Sequence, residues 1–161
     1  MGNYKLLDIT DIANIVLHLE DINLGKSFID PIICKCDITN AINIRNNIFN
    51  YEALYFASLD NEKIKSLCSF QIIKSPYTMK ILILKILTNY DEDTPLFLNF
   101  CLEKIRLFLD EYNKIIIYLK NDNKIKSSEK ELLNLGFNHE ITLKNELDGG
   151  CDLLIYSRII N

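Results

Sequence analysis

The sequence has no run approaching the roughly 18 apolar residues that a membrane-spanning helix requires. Its opening, Met1-Gly2-Asn3-Tyr4-Lys5, lacks the long apolar stretch of a secretory signal. A soluble, cytoplasmic protein that does not engage membranes is therefore expected. Clusters of lysine or arginine are missing as well: 18 basic residues are scattered singly among 22 acidic ones, for a formal charge of -4. With no basic patch to replace phosphate counterions, nucleic acid is not an expected partner. The five cysteines have no C-x-x-C spacing and only two histidines, His18 and His139, could join them, so no metal site is expected. Repeats, low-complexity tracts and linker-like stretches are absent too. A chain of 161 residues with 48% hydrophobic content can bury the core of one compact domain, 1–161.

What is present is a clear succession of periodicities. Tyr4 to Ile9 reads as a strand, and Thr10 can cap a helix with Ile12, Ile15, Val16, Leu19 and Ile22 on one side and Gly25 as its stop. After an irregular stretch around Pro31, Asp37 can cap a second helix with Ile38, Ala41, Ile42, Ile48 and Phe49 on its apolar side. The period then changes. Leu54 to Leu59 and Ile64 to Ile73 form a hairpin around Asp60-Asn61-Glu62-Lys63. Lys74 to Tyr77 is a turn, and Met79 to Leu87 is almost wholly apolar, as a strand covered on both faces should be.

Pro95 to Tyr112 gives the clearest helix, because Asn99, Glu103, Arg106, Asp110 and Asn113 recur as one solvated stripe. Thr94 can cap it, and Asp91, Glu92 and Asp93 lie at the positive end of its dipole. Lys114 to Leu119 is a buried strand, which implies a right-handed parallel crossover. Ser128 and Glu131 make a capping box for a last helix that Gly136 ends. Ile141 to Leu143 and Leu153 to Ile160 then pair around Asp148-Gly149-Gly150. The whole is a mixed α/β (α+β) fold, a central sheet of about seven strands flanked by about four helices.

Two segments give this order a family likeness. Lys130-Glu131-Leu132-Leu133-Asn134-Leu135-Gly136-Phe137 is similar to the end of the last helix of the GNAT superfamily of acyl-CoA N-acyltransferases, and Asp152-Leu153-Leu154-Ile155-Tyr156-Ser157-Arg158 to its closing strand. The chain resembles that superfamily most strongly over Ile81 to Ile160. The resemblance implies a cleft between the fourth and fifth strands that receives acetyl-CoA or another acyl-CoA. It implicates Ile86, Leu87 and Asn89 through their main chains, and Asn121 or Asn123 beyond the fifth strand. An amine on a small molecule or protein would be the acceptor. Because members of the superfamily often dimerise through sheet edges, and Leu153 to Ile160 is apolar enough to need cover at an edge, a homodimer is expected.

The chain departs from the family where phosphates and protons are handled. The phosphate loop Q/R-x-x-G-x-G/A aligns with Asp91, Thr94 and Leu96, and none of the three matches. Glycines there let amides approach a pyrophosphate, whereas three acids at ~5 Å repel it by about 1 kcal/mol each, and Pro95 has no amide hydrogen. The family's frequent general acid, a tyrosine four residues before the Gly-Phe pair, is replaced by Leu132, which cannot protonate a thiolate. Tyr118 and Tyr90 are substitutes or ordinary structural aromatics. Glu52 is a candidate base or a solvated loop acid. Cys151 sits in a turn beside Asp152, whose charge works against a reactive thiol. His18 and His139 have no nucleophile at a recognised spacing, and Cys68 and Cys101 fall in apolar patterns that suit core packing. Two functions follow from the resemblance and the departures together: an N-acyltransferase, or a GNAT-like module that binds a partner without turnover.

Overall fold

The computed structural model describes residues 3–11, 41–61, 63–73, 80–88, 93–121, 125–147 and 149–160. Among them seven strands form one sheet in the order β1-β2-β3-β4-β5-β7-β6. They are β1 Asn3–Leu6, β2 Ala53–Asp60, β3 Lys63–Ile73, β4 Ile81–Thr88, β5 Lys114–Lys120, β6 Asn138–Leu147 and β7 Cys151–Ile159. Three helices accompany them, α1 Ala41–Phe49, α2 Thr94–Phe108 and α3 Ile125–Asn134, with a 3-10 turn at Ile9–Asp11. The mixed α/β architecture is the expected one. The helix expected from Thr10 to Ile22 lies, beyond Asp11, outside the described residues, as do the Asp37 cap and the turn at Lys74 to Tyr77.

β1 to β4 run as an antiparallel meander, β4 and β5 are parallel across the α2 crossover, and β5, β7 and β6 are antiparallel again. Strand alternation sends neighbouring side chains to opposite faces. Phe56, Phe70, Leu82, Leu84 and Ile117 pack on one face with Phe97, Cys101 and Ile105 of α2 and with Leu132 of α3. On the other face Tyr55, Ala57 and Leu67 meet Ile44 of α1, while Ile83, Tyr118 and Leu153 form a third cluster. Each fully buried Leu, Ile or Phe contributes about 1.5–3 kcal/mol.

α1 turns a different side inward from the one its apolar residues suggested. Ile44 and Asn47 are buried, whereas Ile42 and Phe49 are 70% and 69% exposed. A polar contact accompanies this: Asn47 Nδ2 donates to the Tyr55 hydroxyl at 2.9 Å, which gives the buried asparagine a hydrogen-bond partner. α2 starts at Thr94 with Asp93, not Thr94, in the capping position, and Asp93 makes no side-chain cap bond. α3 begins at Ile125, so Ser128 lies inside it rather than at its start.

β7 is an inner strand, paired with β5 on one side and β6 on the other, which removes the edge argument for a dimer through Leu153 to Ile160. β6 is the edge on that side. It is much longer than Ile141 to Leu143 and mostly exposed, and it presents Glu140, Lys144 and Glu146. Charged side chains along an open edge discourage pairing with another strand.

α3 ends as its sequence requires. Gly136 has φ 80°, and the amides of Gly136 and Phe137 donate to the Leu133 and Leu132 carbonyls at 3.0 and 2.9 Å. A Cβ there would meet the Arg158 side chain at 3.7 Å, ordinary contact, so the constraint is the left-handed backbone alone. Gly136→Ala should therefore cost about 1 kcal/mol and lower the Tm by about 2–4 °C, read by thermal melting. A loss several times larger would mean that sterics matter there after all.

Candidate functional site

The parallel ladder between β4 and β5 is short. It pairs Ile81 with Lys114 through Leu84 with Ile117 and then stops, although β4 continues to Thr88 and β5 to Lys120. Each strand keeps its outer neighbour along the rest of its length: β4 stays in register with β3 to Ser66↔Thr88, and β5 with β7 to Lys120↔Leu153. The sheet forks after Leu84 and Ile117. Continued register would have set Lys85 against Tyr118 and Ile86 against Leu119.

Which peptide groups face the opening follows from strand geometry. In an extended strand, successive residues direct their N–H and C=O to opposite edges, and directly opposed residues of an antiparallel pair face either toward or away from each other together. The Ile72 amide donates to the Glu52 carbonyl at 2.8 Å, so even-numbered residues of this part of β3 face the β2 side and Leu67 and Ser69 face β4. Their partners Leu87 and Lys85 must then face β3, leaving Ile86 and Thr88 directed at the fork. A second observation agrees. The Lys80 carbonyl accepts from the Asn113 amide at 3.0 Å on the β5 side, and Lys80 has the same parity as Ile86.

The two described main-chain candidates therefore separate. Ile86 presents its peptide groups to the opening, whereas those of Leu87 belong to the β3 ladder. Thr88, which side-chain reasoning had no means of finding, joins Ile86. The Ile86 side chain is fully buried toward α2. Asn121 turns the other way: its amide N–H donates to the Asp152 carbonyl at 2.9 Å and its Nδ2 to the Asp152 carboxylate at 3.4 Å. The same carboxylate accepts from the Asn145 amide at 3.1 Å, which ties the end of β5 to β7 and β6. Asn89, Tyr90, Asp91, Glu92 and Asn123 lie outside the described residues.

Asp93 is the one described member of the acidic run. Its carboxylate meets Lys65 Nζ of β3 at 2.8 Å, with 52% of the side chain exposed. An exposed pair of this kind contributes ~0–1 kcal/mol, but it offsets locally the charge an anion would meet at the start of α2. Phe97 N–H donates to the Asp93 carbonyl at 2.9 Å, closing the first helical turn.

Leu132 is 1% exposed and belongs to the main core, so the helix position where the family carries a phenol is filled by packing. Among the described tyrosines, Tyr118 adjoins the fork, as the first β5 residue beyond the parallel ladder. It is buried on the face opposite α2 and α3, with Ile83 and Leu153. Tyr156 is elsewhere engaged, donating to Glu129, and its phenol is held well above the usual range by burial and then by that carboxylate. His139 sits edge-on to Tyr156 with Nε2 2.9 Å from Thr142 Oγ1, and Glu52 is exposed before β2. Glu52 occupies the end of the sheet away from the fork, whereas His139 pairs with Tyr156, level with Ile117 but on β6, two strands away from β5.

Cys68 and Cys101 are buried together between β3 and α2, and burial first, then the neighbouring thiol, pushes the Cys68 thiol up. A thiol so placed is a packing element. Among the described residues no group of three or more His, Cys, Asp or Glu side chains could hold a metal, and no helix is long and apolar enough to cross a membrane.

Neither a protein-family model nor a curated protein matches the sequence. Solved structures do match the fold. An acetyltransferase of the GNAT family from Streptococcus pneumoniae superposes with TM-score 0.78 at 12% identity, over 100% of both chains. The chain has the GNAT fold. An N-acetyltransferase from Staphylococcus aureus (TM-score 0.72, 14% identity, 99% of this chain and 97% of that one) shares this GNAT fold. So does a ribosomal-protein-S5-alanine acetyltransferase from Vibrio fischeri (0.72, 17%, 98% and 92%). At these identities the likeness concerns the fold.

Two outcomes test the site as built. In amide exchange by NMR, Ile86 and Thr88 should exchange faster than Leu87, whose N–H is held by β3; the reverse order would overturn the assignment of faces. Leu132→Tyr should cost about 1–3 kcal/mol in denaturant unfolding, because the added ring has no space in the core; an unchanged midpoint would show that α3 tolerates a phenol there.

Proposed function

We propose that the chain is an N-acyltransferase that takes an acyl group from an acyl-CoA, acetyl-CoA in the simplest case, and passes it to an amine on a small molecule or protein. The observation that carries this reading is the fork: two parallel strands part after four paired residues, and peptide groups of Ile86 and Thr88 face the opening. A thin, amide-bearing arm suits such an opening, because its own N–H and C=O groups can complete the interrupted ladder.

Bound there, the thioester would supply an activated carbonyl. The amine nitrogen attacks it and gives up one proton, the C–S bond breaks as the amide forms, and the departing thiolate takes up one proton, so that free CoA thiol is released. The chain's contribution is to align that carbonyl and to aim a backbone N–H at the oxygen on which charge develops. The S5-alanine acetyltransferase with the same fold makes a protein α-amine one acceptor class to try beside small amines.

A second reading, a module that binds without turnover, is favoured by Leu132, which leaves α3 without a phenol at the family's usual position. One experiment separates the two. Acetyl-CoA at about 100 times its Kd should stabilise the protein by about 2.7 kcal/mol, a Tm rise of about 5–10 °C, and should slow exchange of the Ile86 amide. Release of free CoA thiol in the presence of a panel of amines and N-terminal peptides should accompany it. Stabilisation without thiol release favours the binding module; no shift with acetyl-CoA or longer acyl-CoAs removes the transferase reading.

A further inference from the structure

At the end of the sheet away from the fork, α2, β5 and β7 enclose a second recess. Its volume is about 210 Å³ and it is lined by Leu102, Arg106, Ile115, Arg158, Ile159 and Ile160. Two arginines thus border a recess whose other lining residues are apolar. Arg106 belongs to the last turn of α2, and Arg158 comes from the end of β7.

Arg158 is held in place. Its Nη1 donates to the Leu135 carbonyl at 2.8 Å, and its Cδ, Nε and Cζ lie beside Gly136. That is its one described hydrogen bond, and among the described residues no carboxylate pairs with it. A partly buried cation ordinarily acquires a counter-charge, because desolvation without a partner is costly. Here the neighbouring charge is instead of the same sign. Burial, and then the Arg106 charge, hold the Arg158 guanidinium below its ordinary value.

Each arginine also has a local role. Arg106 offsets the negative end of the α2 dipole, and Arg158 satisfies a carbonyl at the end of α3. Neither role requires the two to converge on one recess in a chain whose net charge is -4. An anion between them would. The guanidinium fork matches the geometry of a phosphate oxygen pair, and two such groups suit a doubly charged oxyanion better than a singly charged carboxylate. Given ~30 Å³ per water in the liquid, the recess corresponds to about seven waters, enough for a tetrahedral oxyanion with a short stem but small beside the ~300–1,000 Å³ pockets that hold larger ligands.

We propose that Arg106 and Arg158 form a binding site for a phosphate-type oxyanion, inorganic phosphate or the phosphate of a small monoester, separate from the β4/β5 fork. The test is thermal melting of the full chain at constant ionic strength, titrated with inorganic phosphate, glycerol phosphate or acetate against a chloride reference. Parent, Arg158→Gln and Arg106→Gln are compared. Phosphate at ten times its Kd should raise the parent Tm by about 4 °C with a saturating dose response. The shift should vanish in Arg158→Gln and shrink in Arg106→Gln. A larger shift with glycerol phosphate assigns the site to a monoester, and an equal or smaller one to the free ion.

Phosphate also stabilises proteins generally by exclusion from their surfaces, and that effect would be equal in all three chains and would not saturate. Equal shifts, no shift, or a larger shift with acetate would each overturn the assignment. Should Arg158→Gln fail to fold for want of its bond to Leu135, Arg106→Gln decides.

Discussion

The structure turns on an unequal sharing of hydrogen bonds among four strands. β4 is bound to β3, and β5 to β7, along essentially their full described lengths, but β4 and β5 share only four register pairs. Each inner strand therefore belongs more to its outer neighbour than to the other inner strand. The sheet behaves as two ladders joined at one end, β1 to β4 on one side and β5, β7 and β6 on the other. The opening between them costs little, because neither strand loses its outer ladder to make it. α2 bridges the two halves by packing on Leu82 and Leu84 of β4 and on Ile115 and Ile117 of β5.

Much of this organisation can be read from the residues, for reasons that differ by element. α2 announces itself because Asn99, Glu103 and Arg106 form a solvated stripe while Phe97, Cys101 and Ile105 fill the core. β4 and β5 read as buried strands because both faces are covered. β6 does not, because an exposed edge strand of the composition NHEITLKNEL has few core residues to mark its ends. α1 misleads where it buries a polar residue: Asn47 has its hydrogen-bond partner in the hydroxyl of Tyr55, on another element.

The opening is legible only in part. Its place between the fourth and fifth strands follows from the GNAT resemblance, but which peptide groups line it does not. That depends on the register of β3 against β4, which is set by the pairing of the two strands, not by the identity of Ile86, Leu87 or Thr88. The missing phenol can be read directly from Leu132, whose burial explains why leucine suits that place. The acidic run looked uniformly hostile to an anion. Lys65, distant in sequence, changes that for Asp93.

A wall made of peptide groups carries no signature in the side chains beside it. Any residue except proline offers the same N–H and C=O, so the side chains around such a wall are free to change as long as the strand stays extended and in phase. A scaffold of this kind needs little shared sequence, and here the fold is shared at 12–17% identity with TM-scores of 0.72–0.78. What such a site would not survive is a single inserted or deleted residue between Lys80 and Ile86, which would rotate every carbonyl and amide on β4 to the opposite edge.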